Sequence, residues 1–223
     1  MTALLGYHAA LLLRSQRWLP PAVLYGALLA VGVGMGDPLL DSLGYAAAAL
    51  LPVAAWLVRI CATQEPPAAR HVTATAAGGP SRAQLAVLLT ALAAGGLLGV
   101  IGTVLTVALG DARSTDHTVA IPLPGALVSG LLAAAVCTLT GAALGALCTW
   151  PVLRGRGWSL AVLCLGALLL LVTAGSPARA AVSALISGSR TGETPLSVLP
   201  LAGAMAVATG AAALSCRLSA RRT

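Results

Sequence analysis

The chain has 223 residues, 58% of them hydrophobic and 9% charged, with a formal net charge of +7. A soluble domain carries about a quarter charged residues, so a self-contained soluble domain is excluded. The apolar residues instead fall in blocks of about 20, the length that spans a bilayer, and no stretch alternates like a membrane β-strand.

Lys, Phe and Asn are absent, and every basic side chain except the three histidines is Arg. The missing residues have AT-rich codons, which points to a high-GC bacterial genome. Without Lys there is no phosphate-binding GxxxxGK[ST] loop, so the chain is not its own ATPase of that kind. The arginines are dispersed at the ends of apolar blocks, a membrane-topology pattern and not a nucleic-acid patch. The five cysteines form no CxxC, and His8, His71 and His117 lie in different segments. No disulfide, metal site or nucleic-acid partner is expected.

The sequence predicts an all-α, polytopic integral membrane protein forming one domain. Residues 2–17 read as an interfacial helix, with Tyr7, Arg14, Arg17 and Trp18 suited to the membrane–water boundary. The alternative is that they extend a longer, tilted first span. Six spans follow, over about 19–35, 41–60, 83–109, 121–149, 158–174 and 195–216. Pro122 and Pro124 confine the regular part of the fourth span to its later residues. Two non-spanning stretches stand out. The first is the polar interval 61–82, in which Pro67 can open a short helix and Gly78-Gly79-Pro80 can close it. In that helix Ala69, Val72 and Ala76 form a narrow apolar side, and Arg70, His71, Thr73 and Thr75 remain polar. The second is 176–188, with Ser176 as N-cap, Pro177 in the first turn and Gly188 as terminator. There Ala178, Ala181, Val182, Leu185 and Ile186 make one apolar face.

Six spans place both termini on one side. That side holds ten arginines: Arg14, Arg17, Arg59, Arg70, Arg82, Arg154, Arg156, Arg217, Arg221 and Arg222. The other side holds Arg113, Arg179 and Arg190. The positive-inside bias predicts a bacterial cytoplasmic (inner) membrane location with cytoplasmic termini. The interval 61–82 is then cytoplasmic and the helix at 176–188 external.

No Asp, Glu or Lys falls in the middle of a span, which disfavours an ion-coupled carrier. Thr103, Thr106, Thr138 and Thr140 are the candidate polar groups of a pathway. No HExxH and no intramembrane carboxylate pair suggests a protease or transferase. Energy for any transport must therefore come from outside the chain. Read from residues alone, 61–82 is either a helix that takes a push from a soluble partner or an ordinary solvated loop. Gly95-x-x-x-Gly99 and Gly141-x-x-x-Gly145 permit close helix approach, either between two subunits or inside one.

The whole arrangement resembles the permease subunit of an ABC transporter of the ABC-2 (type V exporter) class. The likeness rests on the N-terminal ALLGYHAALLLRSQRW, six spans with both ends inside, the loop QEPPAARHVTATAAGGPSRAQL and the external SPARAAVSALISG. It implies that the loop is a coupling helix against a separate ABC ATPase subunit, which would carry ATP and Mg. It also implies a second permease copy or paralogue around a central pathway. On that resemblance Glu65, Arg70 and Arg82 are contacts to the ATPase, and Pro177, Ala181, Val182, Leu185 and Ile186 belong to an external gate helix. The uncharged spans suit an amphipathic or apolar cargo. The reading from a different class is a non-transporting membrane anchor or assembly protein that recruits a cytoplasmic partner; a third is an ion-independent secondary carrier.

Overall fold

The computed structural model describes residues 1–115, 119–148 and 156–220. Asp116, His117, Arg154, Arg221 and Arg222 lie outside the described residues. Those described form nine α-helices and no strand, linked by short turns and two isolated bridges at one end. In order they are α1 (Thr2–Ser15), α2 (Leu19–Gly32), α3 (Leu39–Thr63), α4 (Pro67–Ala76), α5 (Pro80–Leu109), α6 (Leu123–Cys148), α7 (Arg156–Val172), α8 (Pro177–Thr191) and α9 (Val198–Ala220).

Four helices, α3, α5, α6 and α9, are long and apolar enough to cross a membrane. A fifth crossing arises if α7 and α8, bent by 51° at a short break, count as one broken span. The exterior agrees with this: Leu97 and Val104 of α5, Leu168 of α7 and Val207 of α9 are exposed. Large aliphatic side chains facing outward on several helices mark a membrane-embedded bundle.

Helix α3 is the axis. Leu39, Leu40, Leu43, Leu50, Leu51, Val53, Leu57 and Val58 are all buried, and α3 packs against α2, α5, α6, α7 and α8. Apolar side chains on most of its circumference let α3 take neighbours on several sides, with Asp41 and Arg59 kept near its ends. Small residues let α6 approach it. A Cβ on Gly141 would stand 2.4 Å from the Leu51 carbonyl oxygen, and one on Gly145 2.6 Å from that of Ala55. On α5, Gly95 and Gly99 meet Thr138, Leu50 and Ala134 in the same way. Both GxxxG pairs are thus occupied inside the subunit.

The predicted boundaries shift where local chemistry dictates. Gln16 sits in the left-handed region at φ 52° and separates α1 from α2. A helix does not continue through such a residue, so one long tilted first span is ruled out. Helix α2 stops at Gly32, short of the expected residue 35. Its 14 residues reach about 21 Å at the usual rise, less than the roughly 30 Å apolar core of a bilayer. The cause is the turn that follows: Gly36 takes φ 87°, and the Asp37 carboxylate accepts the Gly34 N–H at 2.7 Å. Tyr25 anchors α2 to the bundle, with its phenol donating to the Ala46 carbonyl at 3.4 Å and seated against Gly102. Helix α8 runs past Gly188 to Thr191 and ends at Gly192, φ 76°. Gly188 stays helical because the chain folds back over it, with Glu193 O and Pro195 where a side chain would be. Gly192 takes the terminating left-handed position.

The bundle has two distinct ends. One gathers α1, α4, the last turns of α3, α6 and α9, and the start of α5. It is joined by Gln64 to Ser15, by Ser215 to the Ala146 carbonyl and by Cys216 to the Ser81 carbonyl. The opposite end is closed by 110–115 and 119–121; the first of these pairs with the turn before α3 through Leu39 N–H to Asp111 O and Asp111 N–H to Asp37 O. Arg14, Arg17, Arg59, Arg70, Arg82 and Arg217 belong to the first end, and Arg113, Arg179 and Arg190 to the second.

Candidate functional site

The interval between α3 and α5 is an ordered helical connection. Pro66 is extended at φ −63°, ψ 152°, and Pro67 occupies the first turn of α4, where a missing N–H leaves no bond unmade. Ala77 N–H returns to Thr73 O and Gly79 N–H to Ala74 O. Those bonds end the helix before Pro80 opens α5.

Helix α4 turns two different faces. Ala68, His71, Val72, Thr75 and Ala76 are exposed, at spacings that make one continuous stripe. Ala69, Arg70, Thr73, Ala74 and Ala77 are partly covered on the other side. The expected division put Ala69 with Val72 and Ala76 on an apolar side and left Arg70 and Thr73 with the polar residues. The structure rotates it: Val72 is 67% exposed, while Arg70 and Thr73 point back into the chain.

Their partners explain the rotation. The Arg70 guanidinium donates to the carbonyl of Ala62 in the last turn of α3. A cation there satisfies an orphan carbonyl and complements the negative helix end. Thr73 donates to the Glu65 carboxylate at 3.2 Å. Glu65 in turn lies beside α1. Desolvation raises the pKa of the Tyr7 phenol, and the negative charge of Glu65 adds to the rise. The next residue, His8, is 2% exposed, its ring edge-on to Tyr7 at 5.3 Å between centroids. Desolvation lowers the His8 pKa; the Glu65 carboxylate opposes this and Arg70 adds to it. One turn on, Leu12 is buried with Val58, Ile60, Cys61, Val87 and Leu88. Thus α1 is fastened to the ends of α3 and α5, and Glu65 and Arg70 tie α4 to that platform.

Two buried polar atoms in the cluster have no hydrogen-bond partner: Nε2 of His8 and Oε1 of Glu65. Native interiors leave few such groups. Arg82, the third residue assigned to this site, is exposed on the first turn of α5. So of the three predicted contacts, Glu65 and Arg70 have internal partners and Arg82 faces outward. Tyr7, His8 and Thr73 were not among the expected site residues. The available hint was a polar Tyr-His pair on an otherwise apolar α1.

Compared with protein-family models, curated proteins and solved structures, the chain gives no significant match.

The other predicted positions separate cleanly. Thr103, Thr106, Thr138 and Thr140 are buried in the α3–α5–α6 interior. Thr106 donates to Gly102 O at 2.8 Å, Thr138 to Ala134 O at 2.7 Å and Thr140 to Val136 O at 2.8 Å. Hydroxyls bonded to their own helix in a packed interior line no open surface in this state. On α8, Ala178, Ala181 and Leu185 are fully buried against α3 and α6, Pro177 and Val182 are half-buried, and Ile186 is 41% exposed. The apolar face forms as its spacing predicts. Its far end is held by Thr115, whose N–H donates to Ser189 O at 3.0 Å. The Thr115 hydroxyl meets Ser189 Oγ at 2.9 Å and donates to the Asp41 carboxylate at 3.3 Å. Among the described residues no group of three His, Cys, Asp or Glu side chains is placed to hold a metal ion.

Proposed function

We propose that the chain is the membrane-spanning permease subunit of an ATP-driven exporter of the ABC-2 type. In this reading it crosses the bilayer six times, with the short α2 and α7 joining α3, α5, α6 and α9. Both termini, α1 and α4 lie in the cytoplasm, in keeping with the arginine-rich end of the bundle. Helix α8 lies at the outer end. The subunit works with a second copy or a paralogue and with a separate nucleotide-hydrolysing subunit that carries ATP and Mg. Its cargo is amphipathic or apolar, since the spans offer no fixed charge at mid-depth.

The observation that carries the reading is α4. It is a ten-residue helix held between two spans, with one face fastened to the end of α3 and to Glu65 in the linker and the other an exposed stripe of mixed polarity. A push on that stripe is delivered to α3 and α5 together, because α4 is short-linked to both. Arg82 stands on the same side connection and supplies a charge for a partner. The inward Glu65 and Arg70 keep α4 rigid enough to transmit the push and are positioning residues in this reading.

The test is affinity purification of the chain from its native membrane in mild detergent, with ATP hydrolysis by the eluate as readout. A Walker-type ATPase should co-elute, and Arg82→Glu should uncouple its activity while the chain still inserts. An eluate with no ATPase, or normal coupling in Arg82→Glu, contradicts the assignment. A soluble partner that is not an ATPase would instead favour a membrane anchor.

A further inference from the structure

Beside α1 lies a second polar feature that the coupling reading does not use. An open groove of about 280 Å³ is lined by Arg17, Pro20, Trp56, Arg59, Ile60 and Thr63. It sits where the α1–α2 turn meets the last two turns of α3. We propose that this groove binds the phosphate headgroup of an anionic phospholipid of the cytoplasmic leaflet. Among the described residues its lining holds two guanidiniums and no carboxylate. Arginine suits phosphate because its planar fork donates two parallel hydrogen bonds. Helix α2 begins at Leu19, so its positive end adds to the same field. Thr63 does not compete for the anion: its hydroxyl already donates to the Arg59 carbonyl at 2.9 Å.

The surroundings select a lipid over a free anion. Trp56 and Ile60 give the groove an apolar wall, and an indole beside arginines is the side-chain mixture of the headgroup level. From Pro20, exposed Val23, Leu24, Ala27 and Val31 continue down α2 at helical spacing. An acyl chain attached to a phosphate in the groove has that apolar track to follow. Placement in the cytoplasmic leaflet rests on the orientation proposed above; the chemistry of the groove does not.

The experiment uses the purified full chain without any ATPase, so it stands apart from the permease reading. Phosphatidylglycerol, phosphatidylcholine and inorganic phosphate are titrated separately, with retained lipid read by native mass spectrometry and thermal midpoint by fluorescence. Phosphatidylglycerol should bind and stabilise, phosphatidylcholine should do so far less, and inorganic phosphate should neither stabilise nor displace the lipid. Arg17→Ala, at an exposed side chain, should weaken phosphatidylglycerol about five-fold, the effect of one Arg near an anionic surface. Arg59→Gln should do likewise, Arg17→Lys should restore part of the loss, and Arg14→Ala, outside the groove, should have no effect. Equal binding of the two lipids, equal losses in Arg14→Ala and Arg17→Ala, or stabilisation by inorganic phosphate alone would overturn the proposal.

Discussion

Replacing Gly141 by Ala adds one methyl group to α6 where the α3 backbone leaves no space. The new Cβ would stand 2.4 Å from the Leu51 carbonyl oxygen, against about 3.4 Å for an ordinary carbon–oxygen contact. A carbonyl inside a helix cannot rotate away, so α3 and α6 must separate by about 1 Å. Gaps of that size forfeit a quarter to a half of each dispersion contact along the seam, and overpacking costs about 1–3 kcal/mol. Ala also favours the helix over Gly by about 1 kcal/mol, which hides part of the penalty. Gly96→Ala on α5 supplies the control: nothing lies within 4 Å of its added Cβ, so it carries the propensity gain alone. The two variants should therefore differ by the overpacking term, about 1–3 kcal/mol, with Gly96→Ala the more stable. For a chain of this size that is roughly 2–12 °C in thermal midpoint. Intrinsic tryptophan fluorescence of the detergent-purified protein reads it, with Gly145→Ala as a second test 2.6 Å from the Ala55 carbonyl. If Gly141→Ala melts with or above Gly96→Ala, α6 does not lie on the α3 backbone as described. A change of oligomeric state without loss of subunit stability would instead assign the motif to pairing between subunits.

Three further outcomes follow from the packing and the polar ties. His8 is buried with a lowered pKa, so the unfolded state binds its proton first and stability falls as pH drops below about 6.5. Glu65, Arg70 and Tyr7 face it; His8→Gln should flatten the pH dependence of the midpoint between pH 7 and 5, and an unchanged slope would place the titration elsewhere. Leu185→Ala removes a fully buried side chain from α8 and should cost about 2–5 kcal/mol, measured as a lower unfolding midpoint; a cost under 1 kcal/mol would show that α8 is not docked on α3 and α6. Thr115→Val deletes the hydroxyl that meets Ser189 and Asp41, about 1 kcal/mol for each bond lost, and hydrogen exchange at the end of α8 should quicken while α3 stays protected.

Much of the architecture was legible because it depends on local pattern. The apolar face of α8 follows from spacing, and the prolines at 67 and 177 each stand in the first turn of a helix as expected, while Pro80, read as closing α4, opens α5. What was not legible depends on segments far apart in the chain. Glu65 and Arg70 read as exposed contacts because nothing near them in sequence signals the α1 platform. A charged side chain in a polar interval has the same local signature whether it faces solvent or a helix sixty residues away. The GxxxG motifs fix a close approach but not the partner, and only the Leu51 and Ala55 carbonyls settle that. Helix α2 was drawn too long because its apolar run continues to Met35, although Gly36 and Asp37 turn the backbone before it. Gly188 was taken as a helix end by composition, while the chain folding back at Glu193 makes it a packing glycine.

The coupling role of α4 depends on what touches its exposed stripe. A photoreactive amino acid at Val72, 67% exposed at the centre of that stripe, reports this directly in native membranes. Mass spectrometry of the adduct should identify a Walker-type ATPase, and the same probe at Leu13, exposed on α1, should not capture it. Adducts at Val72 with lipid alone, or with proteins lacking a nucleotide-binding motif, would contradict the coupling role of α4.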